Sequence, residues 1–169
     1  MLTDRARTDF ERWVRAYSAE LYRYAYWLCR DRFVAEDLVQ ETFSRAWQAT
    51  QQLRDPHAVK SWLYTILRNE HARLYERKRF DIDEDHDLAE LVDATAADPS
   101  DGIALRESLG RLSPGHLEPL LLQVVGGFSC AEIATMMKLT EGAVMTRLTR
   151  ARMALRGHSS SRASVRAIR

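Results

Sequence analysis

Between Val59 and Arg79, Lys60, Tyr64, Arg68, His71, Tyr75 and Arg79 recur at spacings of four, four, three, four and four. On an α-helix this spacing keeps all six on one face. Cations alternating with flat rings suit a nucleic acid, because cations meet phosphates and rings stack on unpaired bases. Asn69 flanks the stripe, and its amide can both donate to and accept from a base edge. A solvated basic face has the same pattern, and spacing alone leaves both readings open. A second set lies in Phe33–Gln48, where Asp37, Gln40, Glu41, Ser44 and Gln48 gather opposite Val34, Leu38, Val39, Thr42, Phe43, Ala46 and Trp47. Such a polar face is either solvated or a dock for a basic partner. The third set is in Phe128–Arg156. There Val144, Leu148, Ala151 and Leu155 form an inward stripe, with Met145, Thr146, Arg147, Thr149, Arg150 and Arg152 on or near the outer faces. A short capped helix from Ser129 to about Met137 and the turn Lys138-Leu139-Thr140 precede it. That arrangement is a helix-turn-helix, whose second helix enters a major groove with its N-terminal residues on the bases.

Signatures of bond-making chemistry are absent. The chain has no GxxxxGK[ST] loop, GxGxxG, HExxH or GxSxG. His57, His71, His86, His116 and His158 are scattered without ligand spacing, and Cys29 and Cys130 are far apart. No metal site, cofactor or disulfide framework is expected, and both thiols are expected as small buried apolar groups. The chain therefore reads as a binding protein and not an enzyme.

Helical periodicity prevails along the chain and no stretch alternates with period two, so the expected fold is all-α. Three or four helices are expected in the first half, the main ones over about Thr8–Cys29, Ala35–Gln48 and Ala58–Arg79, with Arg54-Asp55-Pro56 as a breaker. The second half starts with a helix near Gly102–Arg111. Ser113-Pro114 then supplies an N-cap followed by proline at the first helical position, Gly126-Gly127 ends that helix, and Ser129–Glu132 reads as a capping box. Pro119 falls inside the proline-capped helix, where it removes one backbone hydrogen bond and is expected to bend it.

Charge divides the chain more sharply than its formal net of +1 suggests. Residues 1–80 carry 15 Lys/Arg against 11 Asp/Glu, residues 81–100 carry 8 acids and no Lys or Arg, and residues 101–169 carry 10 bases against 5 acids. Of 15 aromatic residues, 14 precede residue 81, so the two halves need different cores. The organisation expected is two small helical domains, residues 1–80 and 101–157, joined by an acidic linker over 81–100 and followed by a flexible basic tail over 158–169. Met1–Phe10 holds four charged residues and no apolar core, and the longest apolar stretch, near Leu120–Val125, is too short to cross a bilayer. No membrane insertion and a cytoplasmic location are expected.

Two runs of these residues resemble a known family. Asp37-Leu38-Val39-Gln40-Glu41-Thr42-Phe43, Trp47, Ser61-Trp62-Leu63 and Arg68-Asn69 resemble region two of bacterial sigma factors. Leu112-Ser113-Pro114, Gly127-Phe128-Ser129, Glu132-Ile133-Ala134, Glu141-Gly142-Ala143-Val144, Arg147-Leu148 and Arg150-Ala151-Arg152 resemble region four. Their order and spacing are similar to the extracytoplasmic-function group of the sigma-70 family, over roughly residues 8–156.

The resemblance implies an alternative sigma factor that brings bacterial RNA polymerase to promoters and assists melting, with all catalysis left to the polymerase. It implies that Asp37, Gln40 and Glu41 dock on a coiled coil of the polymerase's largest subunit. The loop Leu53–Val59 and the third helix would capture a flipped minus-ten base, with Lys60, Tyr64, Arg68, Asn69 and His71 at that DNA. Met145, Thr146, Arg147, Thr149 and Arg150 would face the minus-thirty-five element, Arg147 and Arg152 being phosphate or core-edge residues. It further implies an anti-sigma factor as a brake and a linker that tracks toward the RNA exit path. Met145 and Thr146 depart from the family, which often has Lys or Arg and Ser there. The alternative reading is a conventional helix-turn-helix regulator that acts without the polymerase core.

Overall fold

The computed structural model describes the backbone of residues 4–82 and 101–166 and the side chains of residues 4–77 and 105–157. Most of the acidic segment expected as a linker, the Arg79 side chain and the last three residues lie outside the described residues. Every regular element described is helical. The chain divides into two compact units, Met1–Asp93 and Ala94–Arg169.

The first unit is a bundle of α1 (Asp4–Cys29), α2 (Arg32–Gln48) and α3 (Val59–Ile82), each packed against the other two. Arg30 breaks the chain between α1 and α2 by taking the left-handed conformation, with φ of 57°. That conformation is unfavourable for a residue with a Cβ. Asp31 follows as an N-cap, its carboxylate accepting from the Val34 amide at 3.0 Å, a bond of a kind worth about 1 kcal/mol to the helix. Leu21, Tyr24, Ala25, Ala35, Leu38, Ala46, Val59, Leu63, Tyr64 and Leu67 form the core. Thr42 shares it without leaving a polar group unsatisfied, because its hydroxyl donates to the Leu38 carbonyl at 2.7 Å. Around the outside, Phe10 meets Trp47 edge-on with ring centroids 4.9 Å apart, and Trp13 meets Trp62 at 6.5 Å. Two 3-10 turns, Thr50–Gln52 and Pro56–Ala58, flank irregular chain at Leu53, Arg54 and Asp55, where the break was expected, and Asp55 accepts from the His57 amide at 2.9 Å.

The second unit comprises α4 (Asp101–Gly110), α5 (Pro114–Val124), α6 (Cys130–Met137) and α7 (Glu141–Arg166). Its core joins Leu117, Leu120, Leu121 and Leu122 of α5 to Ile133 and Ala134 of α6 and to Val144, Leu148 and Ala151 of α7. Gly126 and Gly127 end the region of α5 for two different reasons. A Cβ on Gly126 would stand 2.6 Å from the Phe128 ring, and Gly127 has φ of +69°. The capping box is present, with the Ser129 amide donating to Glu132 at 2.8 Å and the Glu132 amide donating to the Ser129 hydroxyl at 3.3 Å. Thr140 caps α7 by accepting from the Ala143 amide at 3.2 Å. Past Gly157, where the sequence suggested a tail, α7 continues to Arg166. A lone glycine in a helix costs only about 1 kcal/mol relative to alanine, too little to end it by itself. Among the described residues no helix is long and apolar enough to cross a membrane.

Candidate functional site

The α2 face stands as the wheel places it: Asp37, Gln40 and Glu41 are exposed, as are Ser44 and Gln48. The acids are not equivalent, however. Glu41 accepts from Arg45 at 2.7 Å, and the same Arg45 reaches Glu70 of α3 at 2.8 Å. Glu70, only 9% exposed, also pairs with Arg73 at 3.0 Å. Asp37 and Glu41 thus rim a cleft of about 420 Å³ between α2 and α3, with Arg45, Glu70, Arg73 and Arg77 also on its walls. Sequence reasoning missed Glu70. Its local partner Arg73 and the Glu41–Arg45 pair are legible at helical spacing, but only the packing of α2 on α3 joins them.

The α3 stripe divides into two parts. Tyr64 is fully buried, its ring 4.9 Å from that of Tyr24, and its hydroxyl donates to Glu20 of α1 at 2.8 Å. Burial, and then the hydrogen bond to Glu20, push the Tyr64 hydroxyl far above the usual tyrosine pKa. Tyr64 is therefore a core residue and not a ring available to a base, which corrects the expectation from spacing. The physical reason is that α3 has two neighbours, α1 and α2, and so buries a wider arc than a helix packed on one side. Lys60, at the edge of that arc, is half-buried and pairs with the same Glu20 oxygen at 2.8 Å. Farther along, Arg68 and His71 are half-buried, Asn69 is exposed, and Tyr75 is 61% exposed with its ring 5.8 Å from that of His71. The polar surface left by α3 therefore includes Asn69, His71 and Tyr75, and the exposed loop Arg54–His57 precedes the helix at its N-terminal end.

On α7, Met145, Thr146, Thr149 and Arg150 are exposed, all within the first three turns. Arg147 is not with them. It is half-buried, and its guanidinium donates to the Gly115 carbonyl at 3.5 Å. That carbonyl lies four residues before Pro119, whose ring nitrogen has no hydrogen to offer it. Arg147 thus supplies the donor that Pro119 cannot, and of the two roles left open for it the core-edge one fits. Arg152 likewise turns to α5 and donates to the Gln123 side-chain oxygen. The two guanidiniums tie α7 to α5 and leave Arg150 as the exposed cation among residues 141–150. Among the described residues no three His, Cys, Asp or Glu side chains gather as a metal site.

Comparison with known proteins follows the same division. The family model for Sigma-70 region 2 matches residues 13–80, and that for Sigma-70 region 4 matches residues 103–155. The ECF RNA polymerase sigma factor BldN of Streptomyces coelicolor is 36% identical over 150 residues, covering 81% of this chain and 55% of the relative. The ECF RNA polymerase sigma factor SigL of Mycobacterium tuberculosis is 33% identical, covering 83% of this chain and 82% of the relative. The chain therefore spans about half the length of the first of these and most of the second. Among solved structures, the sigma factor RpoE of Bartonella quintana, in complex with the anti-sigma factor NepR, matches with a TM-score of 0.77 at 28% identity, covering 90% of this chain and 97% of that one. CnrH in complex with the cytosolic domain of CnrY matches at 0.67 and 25% identity, covering 90% of this chain and 88% of that one.

Proposed function

The chain belongs to the extracytoplasmic-function group of the sigma-70 family, and we propose from that premise how its two units divide the work of an alternative sigma factor that directs bacterial RNA polymerase to promoters. The observation that carries the reading is one chain with an exposed acidic face on α2 and an exposed polar and basic face on α7, in separate units. Asp37, Gln40 and Glu41 dock on a basic surface of the polymerase core, the coiled coil of its largest subunit. The Arg45–Glu70–Arg73 chain beneath Glu41 holds α2 and α3 in one register, so the dock and the melting surface keep a fixed relation.

Melting belongs to the first unit. A base leaving the duplex costs a few kcal/mol in lost stacking and pairing, which a pocket and an aromatic platform offset. Asn69 and the loop Arg54–His57 hold the extruded minus-ten base, and Tyr75, next to the half-buried His71, offers the exposed ring that Tyr64 does not. Lys60 and Arg68 act through the local positive potential toward phosphates. Reading of the duplex belongs to the second unit, where the start of α7 enters the major groove at the minus-thirty-five element. Met145, Thr146, Thr149 and Arg150 face the bases there. Bond formation belongs to the polymerase, and the chain acts in the cytoplasm, where the polymerase is. An anti-sigma factor that covers these surfaces restrains it, as the matched complexes suggest.

Run-off transcription with purified bacterial core polymerase tests the reading. Start-site-specific transcripts that require this protein are expected from a library of bacterial promoters. Transcripts that never depend on it, with tight binding to a palindromic duplex in the absence of polymerase, would instead make it a conventional dimeric regulator.

A further inference from the structure

The reading surface of α7 is unusual in what it offers a base. Met145, the fifth residue of the helix, is 58% exposed although it is apolar. Thr146 donates its hydroxyl to the Gly142 carbonyl at 2.9 Å, and Thr149 donates its own to the Met145 carbonyl at 2.9 Å. Each hydroxyl hydrogen is thereby taken by the helix backbone, which leaves the side chain a methyl group and an acceptor oxygen for any partner. Arg147 and Arg152 are turned toward α5. The first three turns therefore present a thioether, two threonine methyls with their acceptor oxygens, the Glu141 carboxylate and the Arg150 guanidinium.

In the major groove a guanine is read by a bidentate cation and an adenine by an amide that both donates and accepts. Met145, Thr146 and Thr149 can do neither. Thymine alone among the four bases presents a methyl group there, and apolar side chains recognise it by contact. A polarisable, flexible thioether fits such a contact without demanding one geometry. Gly142 adds room on the approach, since a Cβ there would meet nothing within 4 Å and the fold itself does not require its absence.

Resting on the proposed promoter-reading role, we propose that Met145 is a specificity-determining residue that recognises the C5-methyl of a thymine in the upstream promoter element, with the Thr146 and Thr149 methyls extending the same apolar surface. Arg150 supplies the adjoining polar or phosphate contact. Substituting Met145 removes the thymine preference at one position and leaves the remaining positions read as before.

The test uses holoenzyme assembled from the full chain and core polymerase. Duplexes randomised across the upstream element are selected for binding, and each selected thymine is then replaced by deoxyuridine, which lacks only the methyl. At one position the replacement is expected to weaken wild-type binding by about fourfold, the worth of one methyl removed from water. Met145→Ala holoenzyme is expected to bind thymine and deoxyuridine duplexes equally at that position, and Met145→Arg to exchange the thymine there for guanine. An upstream element in which every deoxyuridine is tolerated, or one where Met145→Ala still discriminates as wild type does, overturns this inference and leaves the promoter-reading role standing. Holoenzyme that selects no upstream element overturns both.

Discussion

The two units carry their candidate surfaces in different ways. In the first, several of the residues singled out by spacing are tied into the bundle itself: Tyr64 and Lys60 both converge on Glu20, and Glu41 ends a chain running through Arg45 to Glu70. In the second, the short α6 and the start of α7 stand outward at the positions their spacing gives, apart from Arg147. The start of α7 keeps one face clear of α4, α5 and α6, and its sequence shows that face. The stripe of α3 runs into the packing with α1, which hides part of it. The contrast predicts that alterations in the α3 stripe disturb folding, while alterations at the start of α7 disturb binding.

The largest effect should come from the buried ring. Tyr64→Ala leaves a cavity beside Tyr24 and takes from Glu20 one of its two partners, Lys60 remaining, and about 3–5 kcal/mol of stability should be lost in urea unfolding of the full chain. Tyr64→Phe, which keeps the ring and loses only the hydroxyl, should cost about 1 kcal/mol and retain transcription. Full stability in Tyr64→Ala with loss of promoter melting would return Tyr64 to the DNA surface and erase the contrast.

Arg150→Ala should leave the unfolding midpoint unchanged and weaken holoenzyme binding to duplex promoter by about 1–3 kcal/mol if Arg150 reads a base, less if it touches phosphate alone. A destabilised but fully binding variant would place it with Arg147. Asp37→Ala with Glu41→Ala should reduce affinity for core polymerase by about 1 kcal/mol or more, with a steep salt dependence, because the pair lies at an exposed rim. Unchanged affinity in a titration would remove the dock from α2.

The smallest effect concerns the exception on α7. Arg147→Ala should lower stability by about 1 kcal/mol or less, the bond to Gly115 being long. In a Pro119→Ala background, where residue 119 regains an amide to donate, that loss should shrink. An identical loss in both backgrounds would mean that Arg147 contributes by packing and not by replacing the donor that proline lacks.

The contrast also explains which features were legible before any coordinates. Caps are local: Ser129 with Glu132 and Thr140 before α7 each declare themselves within a few residues, as does Pro114 at the start of α5, where Ser113 holds the cap position without a side-chain capping bond, and so the helix-turn-helix was readable almost to its boundaries. The α2 wheel was readable because its apolar and polar halves separate cleanly, down to Thr42, which hides its hydroxyl against Leu38. Three features were not readable. The pairing of Glu20 with Tyr64 spans 44 residues, and that of Arg147 with Gly115 spans 32. Neither leaves a periodic mark. The extension of α7 beyond Gly157 was hidden because a polar, serine-rich stretch has no apolar stripe to announce a helix.

The division of labour between the units is most directly tested by following binding and melting separately on one promoter, using a gel shift for complex formation and permanganate reactivity of unpaired thymines for opening. With core polymerase present, Asn69→Ala is expected to form the closed complex like wild type and to lose most permanganate reactivity, while Arg150→Ala loses complex formation itself. Equal loss of binding and melting in both variants would contradict the account, because it would mean that the two units do not perform separable steps.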